Sequence, residues 1–171
     1  MEDIKIGNGS ISIWAIVAAV GGLLAFIAFF LAITKFETSY VVTTTSDSIN
    51  GIDFLKEKIS YGGYEGDADF TFWKIMPLLT MIMGLVTIVL AILPIFGVNN
   101  SGVKIAFLVC AIITFVFALL VFICTAGTAV LDASKDALEH TKGKRQIGAD
   151  FALIGGILAA GGAACDKFLK L

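Results

Sequence analysis

The 171-residue chain is 58% hydrophobic and only 15% charged, with a formal net charge of −2. Soluble domains contain roughly 45–50% apolar and about 25% charged residues, so this composition indicates a protein that lies in a lipid bilayer. The sequence also lacks the basic patch that nucleic-acid binding requires, and we expect no nucleic-acid partner.

Four apolar segments predict membrane-spanning helices: residues 11–34, 73–96, 103–126 and 147–165. Each approaches or exceeds the roughly 20 residues that a helix needs to cross the hydrocarbon layer. The backbone of such a segment must form its hydrogen bonds within the helix, because lipid offers none. The sequence therefore predicts an all-α integral membrane protein, with residues 1–171 forming one four-transmembrane-helix bundle. The first segment is longer than a signal-peptide core and is interpreted as a retained anchor.

The loop between the first two spans, residues 35–72, predicts a small β-prone cap on the membrane surface. Residues 38–45 are rich in the β-branched and aromatic types that favour strands. The pair Asn50-Gly51 is typical of a turn. Residues 52–59 fit either a short helix or a second strand.

The second half of this loop carries the candidate contacts to an external partner. We expect residues 61–67 to form an irregular acidic loop. Three tyrosines and three acids are the candidates, and an ordinary solvated loop explains them equally well: Tyr40, Tyr61, Tyr64, Glu65, Asp67 and Asp69.

The remaining connections are short. Residues 97–102 form a tight turn, which predicts that the second and third spans are antiparallel neighbours. Residues 128–140 have helix-compatible side chains and are expected to extend the third span out of the membrane. Residues 142–145 then break that helix before the last span.

Lysine and arginine near the helix ends indicate the orientation in the membrane. The face with both termini and the tight turn carries Lys5, Lys104, Lys167 and Lys170, and the other eight basic residues lie on the face with the long loops. The raw count of basic residues places the long loops inside. Those loops are longer, however, and they contain no more basic residues per unit length than the other face. Because the first loop resembles a folded external cap, we predict a multi-pass protein of the plasma or cytoplasmic membrane with both termini cytoplasmic. The reverse orientation stays open.

Chemically active groups are sparse in this sequence. Charged residues inside a span usually mark an ion path, and Asp150 is the main candidate, with a favourable place at a helix N-terminus as its simpler interpretation. The single histidine, His140, accompanies no Cys/His cluster that would bind zinc. No nucleophile lies beside an evident base. We therefore expect no enzymatic activity, no cofactor and no catalytic or metal-binding residue.

Small residues recur along the fourth span and predict close packing of helix backbones. Four of them repeat every fourth residue and two more widen the face: Ala152, Gly156, Ala160 and Ala164, with Gly155 and Ala159. The face is either an intermolecular contact or a contact within the bundle. Both interpretations stay open at this point.

The layout of four spans, a larger β-prone first loop, a tight central turn and a shorter second loop resembles claudin-like proteins and small bacterial four-span membrane proteins. The resemblance covers topology alone. Residues 35–72 contain neither the Trp nor the paired Cys of the claudin first loop, so barrier formation is not implied.

These observations predict a non-enzymatic structural or interaction protein. It would self-associate, or join a larger membrane complex, through its small-residue helix faces. One alternative is an oligomeric pore lined by weakly polar residues such as Ser12, Thr80, Thr87 and Thr114. Another is an accessory subunit of a transporter, secretion or immunity system.

Overall fold

The computed structural model describes residues 4–6, 9–39, 44–56, 58–61, 64–67, 75–126 and 141–169. This part of the chain is mostly helical. Its helices are α1 (Ile13–Ala28), α2 (Gly51–Lys56), α3 (Ile75–Ile92), a 3-10 helix (Leu93–Phe96), α4 (Ser101–Ala126) and α5 (Ile147–Phe168). Among the described residues, three helical segments are long and apolar enough to cross a membrane, namely Ile75–Phe96, Ser101–Ile123 and Ile147–Phe168, and α1 is a shorter apolar helix.

Strands connect these helices at both ends. They are β1 (Ile4–Ile6), β2 (Gly9–Ile11), β3 (Thr34–Ser39), β4 (Thr44–Ile49), β5 (Lys58–Tyr61), β6 (Tyr64–Asp67) and β7 (Thr141–Arg145). β1 pairs with β2 and β5 pairs with β6, each antiparallel. β3 is the central strand of an antiparallel sheet in the order β4-β3-β7.

The four long helices pack in a ring in the order α1, α3, α4, α5, and each contacts two neighbours. Ser12, just before α1, donates a hydrogen bond to Asp166 in the last turn of α5. This end of the bundle is called the terminal end below, and the end that carries β3, β4 and β7 is called the sheet end. The short connection from Gly97 to Asn100 joins α3 and α4 as antiparallel neighbours, as the sequence predicts.

The prediction of a first span over residues 11–34 is wrong in its length, because α1 ends at Ala28. Phe29 then closes the helix with a hydrogen bond to Phe26, and its own carbonyl accepts from Gly51. Farther along, Ile33 donates to Ile49, and the Ile33 carbonyl accepts from Gln146. The apolar run continues past the helix because Ile33 is buried in a core at the sheet end, with 2% of its surface exposed.

The pair Asn50-Gly51 begins a helix, so the prediction of a turn there is wrong. The Asn50 side-chain oxygen accepts hydrogen bonds from the backbone N–H of Ile52 (2.8 Å) and Asp53 (3.1 Å). Asp53 reciprocates by accepting from the Asn50 N–H at 3.1 Å. This reciprocal arrangement is a capping box, and it selects the helical alternative for the residues that follow.

Two further segments differ from expectation. Of residues 61–67, predicted to be irregular, Tyr61 belongs to β5 and residues 64–67 form β6, and Tyr61 lies opposite Tyr64 in the antiparallel pair. Residues 142–145 form most of β7 and complete the sheet with a strand from outside the first loop. The expected extension over residues 128–140 lies outside the described residues. The β1–β2 hairpin was not predicted from the sequence.

In the long helices, small side chains lie inside the bundle and large apolar side chains lie outside, which is the opposite of a water-soluble bundle. The buried positions of the long helices are occupied by small residues, chiefly Ala, Gly and Thr. The exposed positions carry large aliphatic side chains: Ile16, Val20, Leu23, Ile27, Ile82, Leu85, Val89, Ile105, Val109, Ile112, Val116, Ile154 and Ile157. An amphipathic soluble helix would turn these residues inward. Small interior contacts with a large apolar exterior suit helices surrounded by lipid, and indicate a membrane protein.

Candidate functional sites

One side of α5 packs on α1 through small residues, and the backbones of the two helices are in contact there. A Cβ atom added to Gly155 would lie 2.6 Å from the Ala25 nitrogen and 2.7 Å from the Gly21 carbonyl oxygen. One at Gly162 would lie 2.6 Å from the Ala18 nitrogen. No side chain larger than hydrogen fits either position without moving the helices apart.

A second side of the same helix packs on α4. A Cβ on Gly156 would lie 2.9 Å from the Ala118 Cβ, and Ala152 is buried in the same small cluster. Four of the six predicted contact residues, Ala152, Gly155, Gly156 and Ala159, are therefore buried within the chain. Their close contacts at Gly155 and Gly156 are with this chain's own helices.

The last two predicted residues, Ala160 and Ala164, are partly exposed on the outside of the bundle. Between them lies Gly161, which is exposed, and a Cβ added there meets nothing within 4 Å. We call Ala160, Gly161 and Ala164 the outer α5 patch. Away from the helix ends, and among the described residues of the long helices, Gly161 is the one exposed residue without a large aliphatic side chain.

Four of the six predicted loop contacts lie on one hairpin. Tyr61 and Tyr64 are directly opposite each other, Glu65 lies opposite Ser60, and Asp67 lies opposite Lys58. The register therefore gathers two tyrosines and two acids within two short strands. Tyr40 and Asp69 lie outside the described residues.

The weakly polar residues of the pore alternative lie inside the bundle. Thr80, Thr87 and Thr114 are at most 2% exposed, and Ser12 is 6% exposed. The Thr87 and Thr114 hydroxyl oxygens are 3.2 Å apart across the α3–α4 contact. These side chains pack helix against helix and do not face an outer surface that several copies would share.

Asp150, the acid singled out in the fourth span, is half exposed in the first turn of α5. Its carboxylate lies 3.1 Å from the Arg145 guanidinium. The same guanidinium stacks over the Phe122 ring of α4, at 4.0 Å from the ring centroid. An arginine held between an acid and an aromatic ring joins β7 to two helices. The simpler interpretation of Asp150, a structural acid at a helix N-terminus, fits this geometry.

A small pocket with a volume of about 20 Å³, room for about one water molecule, lies at the terminal end among residues from all four long helices. We call it the terminal pocket. Its polar lining consists of Ser10, Ser12, Asn99, Lys104 and Asp166, and its apolar lining of Ala15, Leu90, Ala91, Pro94, Val103 and Phe107. This pocket could not be predicted from the sequence, because its members are up to 156 residues apart, from Ser10 to Asp166. No local spacing brings them together.

Within the described part of the chain, no group of three or more His, Cys, Asp and Glu side chains is placed to hold a metal ion. Comparison with protein-family models, with curated proteins and with solved structures finds no match to this chain.

Proposed function

We propose that this chain is a four-span membrane protein in which α1 is the first span. The exposed apolar residues of this segment run from Ile13 to Phe30. At a rise of about 1.5 Å per residue that band measures about 26 Å, close to the roughly 30 Å of a hydrocarbon core. α1 also packs between α3 and α5, two helices that are long enough to span.

The proposed role is that of a non-enzymatic interaction subunit, which self-associates or joins a larger membrane complex. One observation carries this role: the outer α5 patch interrupts an exterior of large aliphatic side chains with small ones. A small lipid-facing patch lets a second helix approach closely, which gives van der Waals contact where no hydrophobic drive exists. The proposed contact surface is thus smaller than the full set of six small residues predicted along α5.

The sheet end supplies the second half of the proposal. The β4-β3-β7 sheet and the β5–β6 hairpin form a cap on the membrane surface. The tyrosines and acids of that hairpin, Tyr61, Tyr64, Glu65 and Asp67, are the proposed contacts to an external partner. With both termini in the cytoplasm, this cap faces outward. An accessory subunit of a larger machine fits the same surfaces. An oligomeric pore finds less support, because Thr87 and Thr114 are buried against each other.

The test measures the protein mass of particles extracted in mild detergent, for the wild type and for Gly161→Leu. A Cβ added at Gly161 meets nothing within 4 Å in the single chain, so the variant is expected to fold. Val116→Leu, on the lipid-facing side of α4, is the matched control. We expect wild-type particles that contain a second copy or a different chain, and single chains for Gly161→Leu. Single chains in the wild type, or particles that Gly161→Leu leaves intact, would contradict the proposal.

A further inference from the structure

Charged groups lie at two levels along the bundle and bound its apolar exterior. At the terminal end, Lys104 of α4 and Asp166 of α5 both line the terminal pocket and therefore lie at one level. At the sheet end, the Arg145 guanidinium lies 3.1 Å from the carboxylate of Asp150 in α5. Charged groups are costly inside hydrocarbon, so each level belongs where water or lipid headgroups reach it. The distance between the two levels therefore sets the thickness of hydrocarbon that the protein accommodates.

Two adjacent helices give separate measures of this distance. The stretch of α5 from Asp150 to Asp166 rises by about 24 Å, at about 1.5 Å per residue. α1 contains no charged residue, and its length is limited by the end of the helix. Its exposed apolar residues, from Ile13 to Phe30, extend over about 26 Å. The two helices therefore agree although different features bound them.

α4 is a longer helix, but its neighbours set a similar limit. The Arg145 guanidinium lies 4.0 Å from the centroid of the Phe122 ring, so the charged level of the sheet end crosses α4 near Phe122. From Lys104 to Phe122 the helix rises by about 27 Å. The last turn of α4 therefore extends beyond the apolar belt at the sheet end.

α3 gives the fourth measure. Met76, near its start, packs in the same core cluster as Ala149, the residue before Asp150. Pro94, in the 3-10 helix that follows α3, lines the terminal pocket. The rise between Met76 and Pro94 is about 27 Å. All four helices thus define one apolar belt with a height of about 24–27 Å.

We propose that the lipid partner of this protein is a thin bilayer, whose short acyl chains form a hydrocarbon core of about 25 Å without sterol. An average core measures about 30 Å, and that of a sterol-rich plasma membrane about 32–33 Å. A core thicker than the belt has to thin around the protein or enclose its charged levels, and the cost of either rises with the mismatch. This inference rests on the four-span arrangement proposed above and not on the interaction role.

The test places the full chain in phosphatidylcholine vesicles that differ only in acyl-chain length. The series is dimyristoleoyl, dipalmitoleoyl, dioleoyl and dieicosenoyl lipid, in order of increasing thickness. Thermal unfolding is followed by tryptophan fluorescence in each lipid. We expect the highest midpoint in one of the two shorter lipids, because their cores match the belt. Equal midpoints throughout, or a maximum in either of the two longer lipids, overturn the proposal.

A double variant tests whether the charged level sets the optimum. Arg145→Leu with Asp150→Leu removes the charges of the ion pair at the sheet end and should shift the maximum by about one lipid towards longer chains. Arg145→Gln with Asp150→Asn is the matched control, because it breaks the same ion pair but keeps polar groups at that level. Its maximum should stay with the wild type. A general loss of stability lowers every midpoint without moving the maximum. An unmoved maximum in the leucine variant overturns the proposal.

A labelling experiment separates this inference from the four-span arrangement. Lys5→Cys and Ser48→Cys, each in a background without native cysteines, are treated with a membrane-impermeant thiol reagent on intact cells. If the two cysteines react from opposite sides but the lipid optimum is dioleoyl or longer, the four spans hold and only the thin-bilayer inference fails. If they react from the same side, α1 does not cross the membrane, and both proposals fail.

Discussion

The hydroxyl oxygens of Thr87 and Thr114 lie 3.2 Å apart in the middle of the bundle, one on α3 and the other on α4. Each hydroxyl is also within 2.9 Å of a carbonyl in its own helix, Met83 for Thr87 and Cys110 for Thr114. Two hydroxyl protons cannot serve three hydrogen bonds at once. The cross-helix bond therefore forms at the expense of one bond within a helix, and its net contribution is small.

Replacement of Thr114 by Val is expected to lower the free energy of unfolding by about 0.6 kcal/mol through the lost cross-helix bond, the average found for such bonds in membranes. The measurement is unfolding in mixed detergent micelles. Thr125→Val is the control, because its hydroxyl bonds only to carbonyls of its own helix in the described structure. The double variant of Thr87 and Thr114 should cost less than the sum of the singles. Strictly additive losses would show that the two hydroxyls are adjacent without being coupled.

Replacement by alanine should change the stability of the bundle in opposite directions at two glycines of α5. Gly155→Ala places a Cβ 2.6 Å from the Ala25 nitrogen and is expected to destabilise the bundle by about 1–3 kcal/mol through overpacking. Gly161→Ala meets open space, and alanine favours the helix by up to about 1 kcal/mol. Thermal unfolding of both variants in the same detergent checks the prediction. If the two shift in the same direction, the assignment of inner and outer faces is wrong.

The Arg145 guanidinium contacts Asp150 and the Phe122 ring, and the two contacts should contribute unequally to the free energy of unfolding. Asp150 is about half exposed, so Asp150→Asn should cost at most about 0.5 kcal/mol, and the cost should shrink as salt is added. Phe122→Leu removes the ring beneath the guanidinium and should cost about 1 kcal/mol with little dependence on salt. Unfolding at low and high salt separates the two effects. A loss for Asp150→Asn that persists at high salt would show that the ion pair is the stronger contact.

The apolar runs of the sequence predict the boundaries of α3, α4 and α5 to within a few residues, because polar or helix-ending residues bound them. Gly97, with φ of 81°, ends the 3-10 helix in a left-handed conformation that glycine adopts without strain. Asn100 caps the next helix. The end of α1 has no such signal. Ile33 is apolar because it packs in a protein core, and composition does not distinguish that role from contact with lipid.

The row of small residues along α5, called the α5 stripe here, shows a second limit of prediction from sequence. Residues four apart in a helix are rotated by about 40° relative to each other, since 3.6 residues make one turn. From Ala152 to Ala164 the stripe therefore turns by about 120°. Its first members lie against α1 and α4, whereas Ala160 and Ala164 reach the outer surface. The spacing alone predicts a row of small residues but not where that row leaves the interior.

α1 is the shortest of the four long helices, and its role as a membrane span is tested by the accessibility of single cysteines. In a background with Cys110, Cys124 and Cys165 replaced by alanine, the three positions to label are Lys5, Ser48 and Asn99, all of which are exposed. If α1 crosses the membrane, cysteines at Lys5 and Asn99 share one side and a cysteine at Ser48 lies on the other. If α1 stays on the surface, Lys5 shares the side of Ser48.

A membrane-impermeant thiol reagent applied to intact cells also tests orientation. With both termini cytoplasmic, the cysteine at Ser48 reacts at once, and those at Lys5 and Asn99 react only after permeabilisation. The reverse pattern would keep four spans but place the sheet end inside, where Lys144 and Arg145 would obey the usual excess of basic residues on the cytoplasmic side. In that case the β5–β6 hairpin would meet a cytoplasmic partner.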